Sequence, residues 1–303
     1  MYSIIDFSQW IVDEDTPYGS GASEKHWLVN EETNEKGIFK FPKIQYNKKT
    51  TGEHLAEKLA YEIAKCIGVS SARVDLGQYQ GRVGSMSYMI LNSDEELIEG
   101  IQYITKIYPN YDSDKFKDSL TGDIYSIQMI MDSLIDLGDK SRKFIEIPLF
   151  DCLIGNSDRH HSNWAIIKNR KTGKSKFSPV YDNGSSLCCY VNREKIDDIL
   201  RNEQRLESLI YGKSKSLIGW DTEKKIRHFD LYEKLLDAYY DECSLFVEKM
   251  KANLSDQKIN VLINDFDDII MDAKMKKIIQ IFIQKRRDFM IDRYILRKEA
   301  KDE

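Results

Sequence analysis

The chain has 303 residues, 41% hydrophobic and 31% charged, enough for two packed lobes or one large domain and too apolar for a disordered tail. With 45 basic and 50 acidic residues it carries a net charge of −5, which argues against a general polyanion binder, because holding a phosphate backbone needs a basic face. No apolar run reaches the ~18 residues that span a bilayer, and MYSIIDFSQWIVDED at the start lacks the basic-then-apolar order of a secretory signal.

The first ninety residues read as strands with one helix. Trp10–Val12, His26–Val29 and Gly37–Phe41 are β-prone runs, and their turns predict a small antiparallel sheet. From Glu53 to Ile67, apolar residues recur at three- and four-residue spacing, and Gly68 stands where a C′ glycine ends a helix. Val74–Tyr79 and Gly84–Leu91 read as two more strands. Helical patterns follow over Glu95–Ile107, Ile124–Leu137 and Ile145–Leu153, and the polar stretch Pro109–Asp123 reads as a long surface loop. Trp164–Lys168 and Lys176–Val180 bracket NRKTG as a hairpin. Beyond residue 190 the pattern is helical with polar breaks. Met275, Phe282, Phe289 and Leu296 recur every seven residues and are expected to form a core-facing stripe. The five cysteines are scattered, with no C-x-x-C pair and no metal-ligand spacing, so a reducing compartment is expected.

The chemistry concentrates in LIGNSDRHHSNWAII and SPVYDNGSSL. Asp158 and Asn163 stand five apart between an apolar helix and a strand, and Asp182 follows the second strand of the same hairpin. A hairpin sets its two ends side by side, so the three should converge. Two carboxylates and a carboxamide are hard oxygen donors of the kind Mg2+ takes while holding phosphates. One carboxylate can stay free to accept a proton from an attacking hydroxyl. Taken alone, Asp182-Asn183-Gly184 is a turn and Asp158 a helix-end residue; the joint pattern D-R-H-x-x-N, strand, turn, strand, Y-D-x-G is far more specific.

GNSDRHHSN…YDNG resembles the catalytic and metal-binding loops of HipA-like protein kinases, in particular the compact CtkA-like branch that lacks an extra N-terminal domain, and more distantly those of phosphoinositide kinases. The resemblance implies an α+β, bilobal kinase-like fold: a β-rich N-lobe with one main helix over residues 1–91 and a mostly helical C-lobe over 92–303. It makes Asp158 the catalytic base and Asn163 and Asp182 the metal ligands. Arg159 and His160 become the residues that shape the loop, with His160 touching the transferred phosphate.

The same resemblance gives the N-lobe its roles. Lys40, in IFKFP, matches the strand lysine that reaches the α- and β-phosphates; alternation with Phe39 and Phe41 would otherwise make it an ordinary solvent-facing residue. Glu57 matches the lysine's acidic helix partner, Glu53 one turn earlier is the competitor, and Glu62 should fall on another face. Gly19-Ser20-Gly21-Ala22-Ser23 sits between the first two strands, where a kinase covers the phosphates, although it is not a full G-x-G-x-x-G. Ser20 or Ser23 is then a candidate for autophosphorylation that would expel the loop. Topology places adenine against backbone groups near Met89 and Leu91.

The expected function is an ATP- and Mg2+-dependent serine/threonine protein kinase. Alternatives are a phosphoinositide or small-molecule kinase, AMP transfer from the same residues, and a catalytically dead kinase fold serving as a binding module. The family implies a protein substrate and a small DNA-binding antitoxin as partner, without direct nucleic-acid contact or a membrane span by this chain. A bacterial cytoplasmic location is expected, and an exported effector would look the same.

Overall fold

A computed structural model describes residues 1–14, 24–44 and 50–302. The glycine-containing stretch Gly19–Ser23 lies outside the described residues. The β-rich part holds β1 (Ile5–Asp6), β2 (Ile11–Val12), β3 (Lys25–Val29), β4 (Lys36–Lys40), α1 (Glu53–Ile67), β5 (Val74–Tyr79) and β6 (Arg82–Tyr88). The strands form one sheet in the order β1-β5-β6-β4-β3-β2. It is antiparallel except at one edge, where β1 runs parallel to β5 with Ile5 opposite Gly77. Alternation along β4 sends Phe39 into a compact cluster with Phe7, Leu28, Phe41, Tyr79, Met86 and Tyr88 on one face. α1 covers the sheet with Leu55, Leu59, Ile63 and Ile67 and ends at Gly68, whose φ of 74° is the left-handed geometry a C′ glycine supplies.

The helical part begins with β7 (Glu95–Glu99) and α2 (Gly100–Ile107), followed by β8 (Tyr111–Asp112), β9 (Lys117–Asp118), α3 (Ile127–Ser133) and α4 (Glu146–Ile154). Then come β10 (Ala165–Asn169), β11 (Ser175–Phe177), α5 (Ile196–Arg201), α6 (Glu203–Glu207), α7 (His228–Ala238), α8 (Tyr240–Asn253), α9 (Asp256–Asn264) and α10 (Ala273–Asp302). The chain passes from sheet to helices over residues 89–94. Among the described residues no helix is long and apolar enough to cross a membrane. α1 is shared between the two parts: its apolar residues join the same core as α4, α7, α8 and α10, and it packs against α8 and α9 as well as β5 and β6.

Four expectations need correction. Glu95–Glu99 is a strand, not the first turns of a helix, because it pairs antiparallel with β10 to make a sheet in the order β11-β10-β7. The helix expected over Ile124–Leu137 covers only Ile127–Ser133, capped by the Ser126 hydroxyl, and gives way to 3-10 turns over Ile135–Ile145 with a break at Gly138. Pro109–Asp123 is not a plain surface loop. It folds into the β8–β9 ribbon, with Tyr111 and Asp118 buried and the Asp118 carboxylate accepting from the Leu120 and Thr121 amides. In α10 the seven-residue stripe fails at Leu296, which is exposed, while Met275 and Phe282 are buried. A straight helix drifts ~20° per heptad, and Ile279, Ile283, Met290 and Tyr294 carry the buried face onward instead.

Gly100 sets the position of the loop between α4 and β10. A Cβ there would meet the Trp164 ring at 2.2 Å and the His161 carbonyl at 2.6 Å. Its absence lets the Gly100 and Ile101 amides donate to the Trp164 and His161 carbonyls (2.9 and 3.0 Å), fixing that loop against α2.

Candidate active site

Lys40 ends β4 on the face opposite Phe39, where α1 presents Glu57. Lys40 Nζ lies 3.3 Å from Glu57 Oε1 and 2.9 Å from Asp182 Oδ1. Glu57 Oε2 accepts from the Asn183 amide at 3.0 Å. Sheet, helix and the segment after β11 are thus tied through one lysine. Glu53 points elsewhere: it accepts from the Lys43 amide, the Thr51 hydroxyl and the Tyr190 hydroxyl and pairs with the Lys43 ammonium at 3.3 Å. Glu62 pairs with Lys58.

The loop carrying Asp158 leaves α4 at Gly155, which caps the helix with φ 70°. Its organiser is Arg159, 1% exposed. The guanidinium donates to both Asp151 carboxylate oxygens (3.0 and 2.8 Å), to the Asn163 and Tyr181 carbonyls (2.8 and 2.6 Å) and to Asn183 Oδ1 (2.6 Å). One buried cation therefore joins α4 to both ends of the β10–β11 ribbon. The Asp158 amide donates to Asn156 Oδ1, and its carbonyl accepts from the His160 amide and from Asn163 Nδ2 (2.8 Å). That last bond commits the Asn163 nitrogen, and among the described residues no hydrogen bond falls on its Oδ1, which is left to face a cation. Asp182 adopts a left-handed φ of 56°, a conformation rare for residues other than glycine and best tolerated by Asp and Asn. The segment leading to it is docked by paired bonds of Val180 to Ser70 and Ala72 (2.8 and 2.9 Å).

These residues border two adjoining hollows that share Lys40 and Asp182. The smaller, about 240 Å3, is lined by Lys40, Glu57, Asp158, His160, Asp182 and Ser185 among others. The larger, about 440 Å3 and more apolar, is lined by Trp27, Ile38, Ala72, Tyr88, Met89, Leu91, Leu97, Asn163 and Tyr181 with Lys40 and Asp182. Met89 and Leu91 thus border the larger hollow, but the Met89 amide already donates to the Lys36 carbonyl at 2.9 Å, so that N–H cannot read a ligand. Sequence reasoning missed Lys25, which lines the same hollow and sits directly opposite Lys40 in the β3–β4 register. The signal was the equal spacing of the two lysines from the intervening turn. It also missed Asp151, hidden inside an apolar helix.

Charge on these groups follows from their surroundings. Burial opposes ionisation of Asp182, but the adjacent Lys40 ammonium outweighs it and holds the carboxyl at about 2. Lys40 is half-buried, and against the cost of its desolvation Asp182 and Glu57 keep it charged above its ordinary range. Burial raises the Glu57 carboxyl, against the pull of Lys40. Asp158 is raised by desolvation in the hollow and by the Asp182 charge, with His160 pulling the other way. Burial lowers Lys25, helped by Lys40.

Among the described residues no group of three or more His, Cys, Asp and Glu side chains could hold a metal. The set present, one carboxylate of Asp182 and the free Oδ1 of Asn163, is sparse and all oxygen. That suits Mg2+, which is commonly held by one or two carboxylates and completes its shell from phosphates and water.

Three buried histidines brace this part of the fold in the neutral form. His228 bonds the Asn156 carbonyl through Nε2 (2.8 Å) and is pushed down to about 3 by burial and by Arg286. His161, bonded to the Tyr111 hydroxyl at 3.1 Å, is lowered to about 4 by burial and by His160, and His54 to about 4 by burial and by Arg193. Each unfolded imidazole binds a proton near its ordinary 6.5 while the folded one does not. Their contribution to stability is therefore complete above pH 6.5 and is lost as pH falls towards 4 and 3. By pH 5.5 the loss should reach roughly 1 kcal/mol per histidine. Urea midpoints at pH 7.5 and 5.5 check this, and equal midpoints would contradict it.

The family described as HipA-like C-terminal domain matches residues 19–254. The serine/threonine-protein kinase CtkA of Helicobacter pylori strain J99 is 22% identical over 293 residues, 95% of this chain and 86% of the relative. A crystal structure of the H. pylori proinflammatory kinase CtkA superposes with a TM-score of 0.79 at 20% identity, covering 97% of this chain and 99% of that one. HipA from a Shewanella oneidensis MR-1 complex with HipB and operator DNA superposes at 0.56 and 14% identity, covering 96% and 68%.

Proposed function

Because the chain belongs to the family of HipA-like C-terminal domains, we propose that it is an ATP- and Mg2+-dependent kinase that phosphorylates serine or threonine in a protein. One observation carries the reading: the Asp158 carboxylate borders the same hollow as Lys40 and Asp182, while its loop is held through the Asp158 amide and carbonyl by the Asn156 and Asn163 side chains, and by Arg159. Residues 1–91 and 92–303 then serve as the two lobes, with adenine in the larger, apolar hollow and the phosphates towards Lys40, Asp182 and His160.

The geometry supports a division of labour. Lys40, fixed by Glu57, offers a positive charge to phosphate oxygens. Asp182 and Asn163 Oδ1 would hold Mg2+, which would supply charge neutralisation along the phosphates. Asp158 takes the proton of the acceptor hydroxyl as the oxygen bonds to phosphorus and the ADP oxygen leaves. The protein contributes position and preorganised charge, as a loose phosphoryl-transfer transition state requires. The CtkA relative's description as a serine/threonine-protein kinase supports the substrate class. The HipA relative's complex with HipB supports a protein partner.

The test offers γ-labelled and, separately, α-labelled ATP with Mg2+ to casein and to phosphoinositide vesicles. Label from the γ-position should enter serine and threonine of the protein and vanish with EDTA. Lys40→Met should lower the rate at least ~10²-fold by removing the phosphate-directed charge. Label only from the α-position, only in lipid, or in neither acceptor would overturn the assignment.

A further inference from the structure

A further hollow lies apart from the two that share Lys40 and Asp182. A groove of about 770 Å3 runs along the helical part from the edge of the catalytic loop, lined by Ser157, Ser185, Lys195, Arg205, Lys213 and Phe282 among others. It lies near the upper end of the ~300–1,000 Å3 range of ligand sites. Ser185 borders both this groove and the small hollow containing Asp158, and Ser157 precedes Asp158 in the chain. An occupant of the groove therefore continues directly to the place where a hydroxyl would meet the Asp158 carboxylate.

Its charge runs against that of the molecule. The chain as a whole carries −5, yet the groove wall carries Lys195, Arg205 and Lys213, all exposed, against the single acid Asp198. Asp198 pairs with Arg205 at 3.7 Å, leaving both lysines without an acid on the wall. Beneath the floor stands a fourth cation. Arg286 is fully buried under Phe282, with its guanidinium carbon 4.9 Å from that ring. It donates to the Cys152 and Ile210 carbonyls at 2.7 and 2.5 Å, its Nη2 has no partner, and among the described residues no carboxylate pairs with it. A buried charge without a counter-charge raises the potential of the surface above it, because a low-dielectric interior screens it little.

We propose that this groove holds an acidic, Asp- and Glu-bearing segment of the protein substrate and delivers its serine or threonine to Asp158, a proposal that rests on the kinase reading. The two exposed lysines read the acids and the buried arginine biases the floor in the same direction. A segment enters rather than a small metabolite because the groove shares Ser185 with the catalytic hollow, so its occupant must reach from the basic wall to Asp158.

Binding is measured without ATP, so the outcome does not depend on catalysis. A fluorescent decapeptide of alternating Glu, Ser and Gly is compared by anisotropy with its Gln counterpart, at low salt, on the full chain. The acidic peptide should bind at least ~10-fold more tightly than the Gln peptide, and Lys195→Glu with Lys213→Glu should remove that preference. Lys224→Glu with Lys251→Glu, an equal charge change at exposed positions outside the groove, should leave it in place. Thermal melting of both double variants reports folding. Equal binding of the two peptides, or loss of the preference with the remote pair as well, would sink the proposal. The kinase reading is judged separately, by label transfer to casein. There, the groove variant should raise KM for the acidic peptide ~10-fold with kcat little changed.

Discussion

Replacing Asp158 by Asn is expected to lower phosphoryl transfer by ~10² to 10⁴-fold, the usual contribution of a positioned general base, while the protein stays folded. The fold should survive because, among the described residues, no hydrogen bond or ion pair falls on the carboxylate. The loop is held by the Asp158 amide and carbonyl, by Asn163 Nδ2 and by Arg159, and substitution of the side chain leaves all of these in place. Asp158 is exposed at the cleft mouth, so Asn creates no cavity. Initial rates of γ-label transfer, with thermal melts alongside, provide the check. A variant within threefold of the parent rate would remove Asp158 from the chemistry.

The second large effect is on stability. Asp151→Ala leaves Arg159 as an uncompensated buried cation, since the pair is 2.8 Å apart with both side chains at most 2% exposed. Breaking such a pair from one side costs about 3–5 kcal/mol. Replacing both partners, Asp151→Leu with Arg159→Met, should cost less than either single change, because no charge is stranded. Asp151→Asn, which keeps an acceptor oxygen, provides an intermediate case should the alanine variant not accumulate. Urea denaturation measures all three. A loss under ~1 kcal/mol for Asp151→Ala would show that water reaches this pair. The same variants should lose activity out of proportion to unfolding, because Arg159 also holds the Asn163 and Tyr181 carbonyls and Asn183 Oδ1.

Local signals were the readable ones. The bounds of α1 follow from three- and four-residue spacing and a terminal glycine, and β5 keeps Val74 and Leu76 on one alternating face; both are decided within a few residues. The gathering of Asp158, Asn163 and Asp182 near one another follows from hairpin geometry, which is also local. What escaped was set by distant partners. Nothing in EELIE distinguishes the start of a helix from a strand until β10 is present to pair with it. Lys25 becomes a cleft residue only through its register with Lys40. Whether Glu53 or Glu57 meets the lysine was open because both lie on one helix face; Tyr190, 137 residues further on, claims Glu53 together with its near neighbour Thr51. Tyr111 braces His161 across fifty residues, which is why an apparently idle acidic stretch has buried members.

The double allegiance of α1 limits how the molecule can be taken apart. The helix completes the sheet on one side and the helical core on the other, and Cys66 near its end donates to the Asn253 carbonyl. A fragment cut at residue 91 would carry Leu59, Ile63 and Ile67 with half their neighbours gone. The fragment beginning at 92 would expose the matching hollow between α8 and α9. Neither piece should survive as a soluble product of limited proteolysis, and heat should melt the intact chain in one cooperative step.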